Sequence, residues 1–539
     1  MPRLCAVALA ALAGVVYVPH LANPLVFDDF NVVNSTDFLD YAFSFYPAPR
    51  WLTYATLAHT YALTAGSISA MRWGNLVLHA ATVVAVFVLL REICLAVLDK
   101  ELNAKDREFN ALFVASLAAA LFAVHPVAVY DVGYLVQRTT VMATLFMLMM
   151  LIAYLRWLVT GRTALWVWSA VWYLLSVFSK EHAVMAPAAA LVLTLLMQRP
   201  SWALGRRLIP PFAAYTVIAL LVISMVKGVL GSAYEPLALD MMKELQGFDD
   251  VRTAYSLSVI TQMALFFKYL FLWIIPNVDW MSVDMREPFA ISVSAWPYWA
   301  AALAFMLYPL LAIGMMLRGG RIGIAGWVLV FPWLMFATEL STVRVQEPFV
   351  LYRAYLWFPV FGALAALALS CLTSRLAVAL ALVMTCLLVP LSWNRLHTMS
   401  DPLLMWEDAA KLLVHGNEPG AGRIYYNRAL ALSAKGRKQE ALADMNRVVK
   451  LHPKLAPVYY TRARVNFDLK RYAEAVEDLN ASIALNSKRS AVYYARFITL
   501  RRLGREDEAL QDLRKSCDMK DLIGCFALER HNQNASKAP

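Results

Sequence analysis

The chain has 539 residues, 60% of them hydrophobic and 16% charged, with a mean hydropathy of +0.54. An ordinary soluble domain is about 45–50% apolar and about 25% charged, so a single soluble globule is excluded. The formal net charge of +11 would suit a nucleic-acid partner, but much of it sits in short loops between apolar runs, where it works as a topology signal.

These averages hide a split between an apolar segment, 1–395, and a charged, periodic one beyond it. A spanning helix needs about 20 apolar residues. Spans are predicted near 4–21, 72–97, 109–124, 140–159, 164–179, 183–198, 208–230, 294–317, 322–339, 351–371 and 376–393, which makes about eleven. The first follows Met-Pro-Arg without a clear small-residue cleavage site, so it is read as a span and not as a signal peptide. Residues 253–276 are apolar but interrupted by Lys268. If they do not cross, Arg91, Lys100, Arg156, Arg162, Arg206, Arg207, Arg318 and Arg375 all fall on one face, as the positive-inside rule expects. That choice puts the N-terminus in the cytoplasm. The loops at 22–71, 125–139, 180–182, 231–293 and 340–350 then share the opposite face with the tail.

Charged groups at membrane depth are costly, which makes them functional candidates. Adjacent Asp28 and Asp29 follow the first span. One of them can serve as a base toward a hydroxyl acceptor; a metal site, an ion pair or a loop N-cap are the alternatives. On the same face stand Arg50, His125, Gln137 and Arg138, then Lys180 and Glu181, then Arg344 and Arg353. Guanidinium groups bind phosphate in bidentate fashion, so this set suits a lipid-linked phosphate. Each also has a bland reading: Lys180 pairing with Glu181, or Arg353 snorkelling to headgroups. The acids Asp240, Glu244, Asp249 and Asp250 lie in a long loop that would serve as a lid or as interfacial padding. No metal-ligand spacing of Cys and His occurs. An ion-coupled transporter would use such charges as relays, but no paired Gly/Pro-broken helices occur in matching halves.

The tail is periodic. Tyr-Tyr recurs at 425–426, 459–460 and 493–494, in phase with Ala441, Ala475, Ala509 and with Asp444, Asp478, Asp512. A 34-residue period is the helix–turn–helix signature of tetratricopeptide repeats, whose stacked pairs bury what one pair cannot. The expected layout is a linker at 396–420, three repeats and a short capping helix within 421–530, and a disordered tail at 531–539. Such a solenoid binds protein or peptide, or acts as a spacer. Cys517 and Cys525, eight apart, are read either as a disulfide across a helix hairpin or as two free thiols.

The order of these parts resembles the GT-C fold membrane glycosyltransferases, and in particular the transmembrane O-mannosyltransferases that carry tetratricopeptide repeats, with their bacterial relatives. The resemblance rests on FDDFNVV at 27–33, MRWGNLVLHAATVVAVFVLLR at 71–91, the run 121–156, LLSVFSKEHAVMAPAAALVLTLL at 174–196, QEPFVLYRAYL at 346–356 and the repeats. It implies an all-α protein: a polytopic GT-C-like bundle followed by an α-solenoid. It also implies an inverting transfer of a monosaccharide from a polyprenyl-phosphate donor to a Ser or Thr hydroxyl of an exported protein, a pilin being one example. Asp28 or Asp29 would be the base, and Arg138, Lys180, Arg353 and Arg50 would hold the donor phosphate. His125, Gln137 and Glu181 are further site candidates, and the resemblance implies no metal or other cofactor, the polyprenyl-phosphate sugar being the donor substrate. The expected location is a bacterial inner membrane with the repeats periplasmic, which favours the Cys517–Cys525 disulfide. Two departures stand in this chain: Tyr352-Arg353 where the family often has His-Arg, and Arg50-Trp51 where it often has Arg-Pro. A glycan or lipid acceptor, and a non-catalytic scaffold recruiting partners through the repeats, are the alternative readings.

Overall fold

The computed structural model describes residues 1–45, 48–98, 104–226, 251–345, 347–486 and 488–535. The chain divides into two compact units, Met1–Asp401 and Pro402–Pro539. Among the described residues the regular structure is helical, apart from an isolated antiparallel bridge between Met285 and Phe349. The division falls inside the segment expected as a linker, whose residues Pro402–Lys411 form a helix of the second unit.

Among the described residues of the first unit, eight helices are long and apolar enough to cross a membrane. A ninth arises if the bent pair Lys105–Ala123 and Pro126–Val132 is one span. Two more predicted spans form shorter apolar helices, Thr163–Ser179 and Glu181–Met197. Local chemistry sets several ends. The Ser67 hydroxyl caps Ile68–Val97 by accepting the Ala70 N–H, and Gly161, at φ 73°, ends Arg138–Thr160. At Gly326 two helices touch backbone to backbone: a Cβ there would run into the Ala312 carbonyl oxygen and the Met316 backbone.

The predicted span 351–371 is not one helix. It breaks into Leu351–Arg353, Ala354–Trp357 and Ala363–Leu369. Pro359 lacks an N–H and disfavours helical geometry at Phe358, where the second piece stops. Residues 253–276 do form a continuous helix, Val251–Ile274, long and apolar enough to cross. Its partners nevertheless follow one loop: Tyr255 donates to Leu340 O, Gln262 to Pro348 O and Tyr269 to Val350 O. Glu339 and Arg353, 2.9 Å apart, close that loop at its base.

In the second unit, helix pairs Ala421–Ala434/Lys438–Leu451, Ala456–Asp468/Tyr472–Leu485 and Ser490–Arg502/Glu506–Asp518 repeat with the 34-residue period. Ala441, Ala475 and Ala509 are completely buried where the paired helices meet. Gly436, Lys470 and Gly504 take the left-handed turn between them. The period in Asp has an electrostatic cause. Arg428, Arg462 and Arg496 on the first helix of each pair grip Asp444, Asp478 and Asp512 on the second. Arg462 and Arg496 also reach back to Asn446 and Asn480 of the preceding pair, which ties unit to unit. The last helix, Leu522–Ala535, runs through residues expected as a disordered tail and is as long as the repeat helices. A disulfide joins Cys517 to Cys525 across the turn before it.

Candidate functional site

The site grows from the turn after the first helix. Phe27 sits at φ 52°, a strained conformation for a bulky residue, and this aims the next two carboxylates in opposite directions. Asp29 turns inward and is fully buried. It accepts backbone N–H groups from Val26 (3.2 Å), Leu135 (3.4 Å) and Val136 (2.9 Å). Burial pushes its carboxyl up to about 7 against the pull of those N–H groups and of Arg72. Asp28 turns outward and is exposed, while its N–H donates to the Tyr134 hydroxyl at 2.9 Å. Arg72, buried, pins the turn by donating to the carbonyls of Asn23 (3.1 Å), Pro24 and Gly133.

The cations gather beyond Tyr134. Its ring lies 6.1 Å from that of Tyr352, and Lys180 Nζ sits 5.3 Å over the Tyr352 ring. Lys180 is 5% exposed and donates to Gln137 Oε1 at 3.2 Å and to Thr140 Oγ1. Burial, reinforced by Arg50 and Arg353, pulls its amine down to about 7, opposed by Asp131 and Glu181. Arg50 grips Glu181 through both Nε (3.0 Å) and Nη2. Arg353 binds Glu339 at 2.9 Å, Arg344 stands 3.5 Å from the same carboxylate, and His182 bridges Glu181 (3.5 Å) and Glu339 (3.3 Å). Four separate segments thus converge: the first loop, the turn at 180–182, the start of Arg138–Thr160 and the segment 339–353. An outward carboxylate can accept a proton, and a cluster of cations can hold an anion.

Of the predicted residues, Asp28, Arg50, Gln137, Lys180, Glu181 and Arg353 belong to this assembly. Arg138 does not reach it as a ligand-binding cation. It is 2% exposed and clamps Asn75 Oδ1 (2.7 Å), Met71 O (2.7 Å) and the hydroxyls of Thr56 and Thr60. His125 is buried and stacked on Trp273, with ring centroids 4.1 Å apart, where it caps a turn through Val127 N–H. Glu181 acts through Arg50. Asp240, Glu244, Asp249 and Asp250 lie outside the described residues. Among the described residues no cluster of three or more metal-ligating side chains occurs. Sequence reasoning missed Arg72, Tyr134, Tyr352, Glu339 and Asp131; a buried acid or tyrosine in an apolar run was the available signal. An apolar cavity of about 610 Å³ lined by Ala80, Ala81, Val84, Phe146 and Met149 contains none of the predicted site residues.

Fold and geometry together define an all-helical protein with an apolar-helix unit and a repeat solenoid. The solenoid carries tetratricopeptide repeats: residues 422–455 and 456–489 each match that family. Among solved structures, the chain is similar to the first tetratricopeptide domain of Spaghetti (RPAP3) bound to an HSP90 peptide, at 20% identity over 22% of this chain and 94% of that one, TM-score 0.21. It is similar to the MamA protein at 19% identity over 22% of this chain and 62% of that one, TM-score 0.20. The APC/C hetero-tetramer Cut9–Hcn1 aligns at 11% identity over 89% of each chain, TM-score 0.25. No curated protein matches the chain.

Proposed function

We propose that this protein couples a partner-docking repeat domain to a membrane glycosyltransferase site. The docking half is supported by the repeat match, since stacked helix pairs of this kind bind protein segments. The transferase half is supported by one observation: exposed Asp28 is linked to Lys180 through two tyrosines, its N–H donating to the Tyr134 hydroxyl and the Tyr134 ring lying 6.1 Å from the Tyr352 ring over which Lys180 sits. In this reading Asp28 takes the proton from an acceptor Ser or Thr hydroxyl as its oxygen attacks the anomeric carbon. The lipid phosphate leaves against Lys180 and the neighbouring guanidinium groups, and no covalent enzyme intermediate forms. Asp29 holds the turn and stays out of the reaction. The donor is a polyprenyl-phosphate sugar and the acceptor an exported protein, in a bacterial inner membrane with the repeats on the periplasmic side.

The scaffold reading has its own observation in the repeat match, which covers no part of the apolar-helix unit. Intact-mass analysis of exported proteins from cells with wild-type protein and with Asp28→Asn separates the two. Loss of about one sugar mass from one or a few proteins, as the expected 10²–10⁴-fold drop in rate would give, supports transfer. Unchanged masses and an unchanged phenotype, with the variant present at wild-type levels, leave the scaffold.

A further inference from the structure

We propose that Asp131 is the counterion that keeps Lys180 charged, and that it thereby sets the pH range in which the site holds an anion. The second clause rests on the reading that Lys180 faces an anionic group of the substrate; the first does not.

The two glutamates around Lys180 are each engaged by an arginine. Glu181 is gripped by Arg50 and touched by His182, and Glu339 is bound by Arg353 with Arg344 beside it. Asp131 differs. It is 0% exposed, on the short helix Val129–Val132 just after the bend at Pro126, and neither carboxylate oxygen has a hydrogen-bond partner among the described residues. The Thr140 hydroxyl beside it already donates to Gln137 Oε1 at 3.1 Å while accepting from Lys180. The Tyr355 hydroxyl is bonded to His79 Nδ1 at 2.7 Å, and the Tyr17 hydroxyl is near enough to be felt only as charge. A carboxylate isolated in this way is strongly disfavoured unless an opposite charge lies within reach, and Lys180 is that charge.

The need is mutual. Lys180 is buried, its two hydrogen-bond acceptors are neutral, and Arg50 and Arg353 face it with like charge. Against them stand Asp131, Glu181 and the Tyr352 ring, and Glu181 is already shared with Arg50. Asp131 is therefore the carboxylate whose field is not first cancelled by a guanidinium. Without it the ammonium loses its proton at lower pH, and the site has one positive charge fewer at neutrality. Asp131 touches no substrate in this scheme; it is a positioning residue acting through Lys180.

The test uses the full-length protein in detergent micelles. Acetic anhydride labels unprotonated amines, and mass spectrometry of the Lys180 peptide gives the pH midpoint of labelling. The wild-type midpoint is expected near neutrality. In Asp131→Asn it falls by about one pH unit or more, a tenfold loss of proton affinity, and in Asp131→Glu it returns toward wild type. An unchanged midpoint in a folded Asp131→Asn protein overturns the proposal. If Asp131→Asn does not fold, Asp131→Asn/Lys180→Met carries the test, because removing both charges should restore the melting temperature lost by Lys180→Met alone. No restoration also overturns it. The labelling does not depend on sugar transfer. A shifted midpoint in a protein that glycosylates nothing would keep this pair and sink the transferase reading.

Discussion

Two adjacent aspartates with opposite fates carry the site. Asp29 is an internal tie for three backbone N–H groups, and Asp28 faces outward. Asp29→Ala should therefore lower the melting temperature in detergent, by an amount equivalent to about 1–3 kcal/mol for donors left unpaired in a buried place, and by more than Asp28→Ala, which removes an exposed carboxylate. Burial raises the Asp29 carboxyl to about 7, so the folded protein holds a proton that the unfolded chain has lost over the interval from about 4 to about 7. Its contribution to stability is thus fullest at low pH and declines as pH rises through that interval, at most by about 1.4 kcal/mol per unit. That slope should be absent from the pH-dependent unfolding of Asp29→Asn. The pair itself was legible, since acids directly after an apolar run are conspicuous. Which acid faces inward was not, because it depends on the left-handed turn at Phe27 and on N–H donors more than a hundred residues away. Arg138 misled for a related reason: an arginine at a helix start looks available, and only the packing against Met71, Asn75 and Thr60 shows where its donors go.

Among the elements, hydrophobic length located most helices of the first unit but did not distinguish a continuous run from a broken one. Pro359 ends a piece of the apolar run 351–371, yet Pro210, Pro211, Pro309, Pro332 and Pro390 all stay inside helices. A proline thus becomes a break only where the neighbouring packing lets it. Close approach is equally invisible in composition. Gly326→Ala would force the helices Tyr298–Leu317 and Gly320–Phe336 apart, since its Cβ meets backbone and not a flexible side-chain tip. It should cost on the order of 1–3 kcal/mol, read as a lower melting temperature. The repeats were the most legible part, because their period is fixed by contacts made again in each unit. Asp478→Ala leaves Arg462 without its carboxylate in the central pair and also removes an acceptor from Asn466. It should make the repeat domain of the full chain markedly more sensitive to limited proteolysis. Glu440→Ala, which breaks the exposed pair with Arg437, should not.

At the scale of the whole molecule, the two units differ in chemistry: among the described residues one holds eight helices long and apolar enough to cross a membrane, and the other is built of charged, periodic helix pairs. The Cys517–Cys525 bond links the second unit to its surroundings, because disulfides persist in oxidising compartments. If the repeats are periplasmic, alkylation without reductant should leave both cysteines unmodified, and reductant should expose both. A reporter fused after residue 400 should then give a periplasmic signal; a cytoplasmic signal with both thiols alkylated would reverse the proposed orientation.

The carboxylate of Asp29 also has a consequence in time. Its anchors at Leu135 and Val136 leave the ribosome more than a hundred residues after it does. During synthesis the acid turn therefore waits, unformed, until the helix beginning at Arg138 has been delivered beside it. A nascent chain carrying only its first three apolar helices should therefore bear both aspartates without the backbone anchors that fix Asp29, so the turn takes its final form late in the protein's own biogenesis.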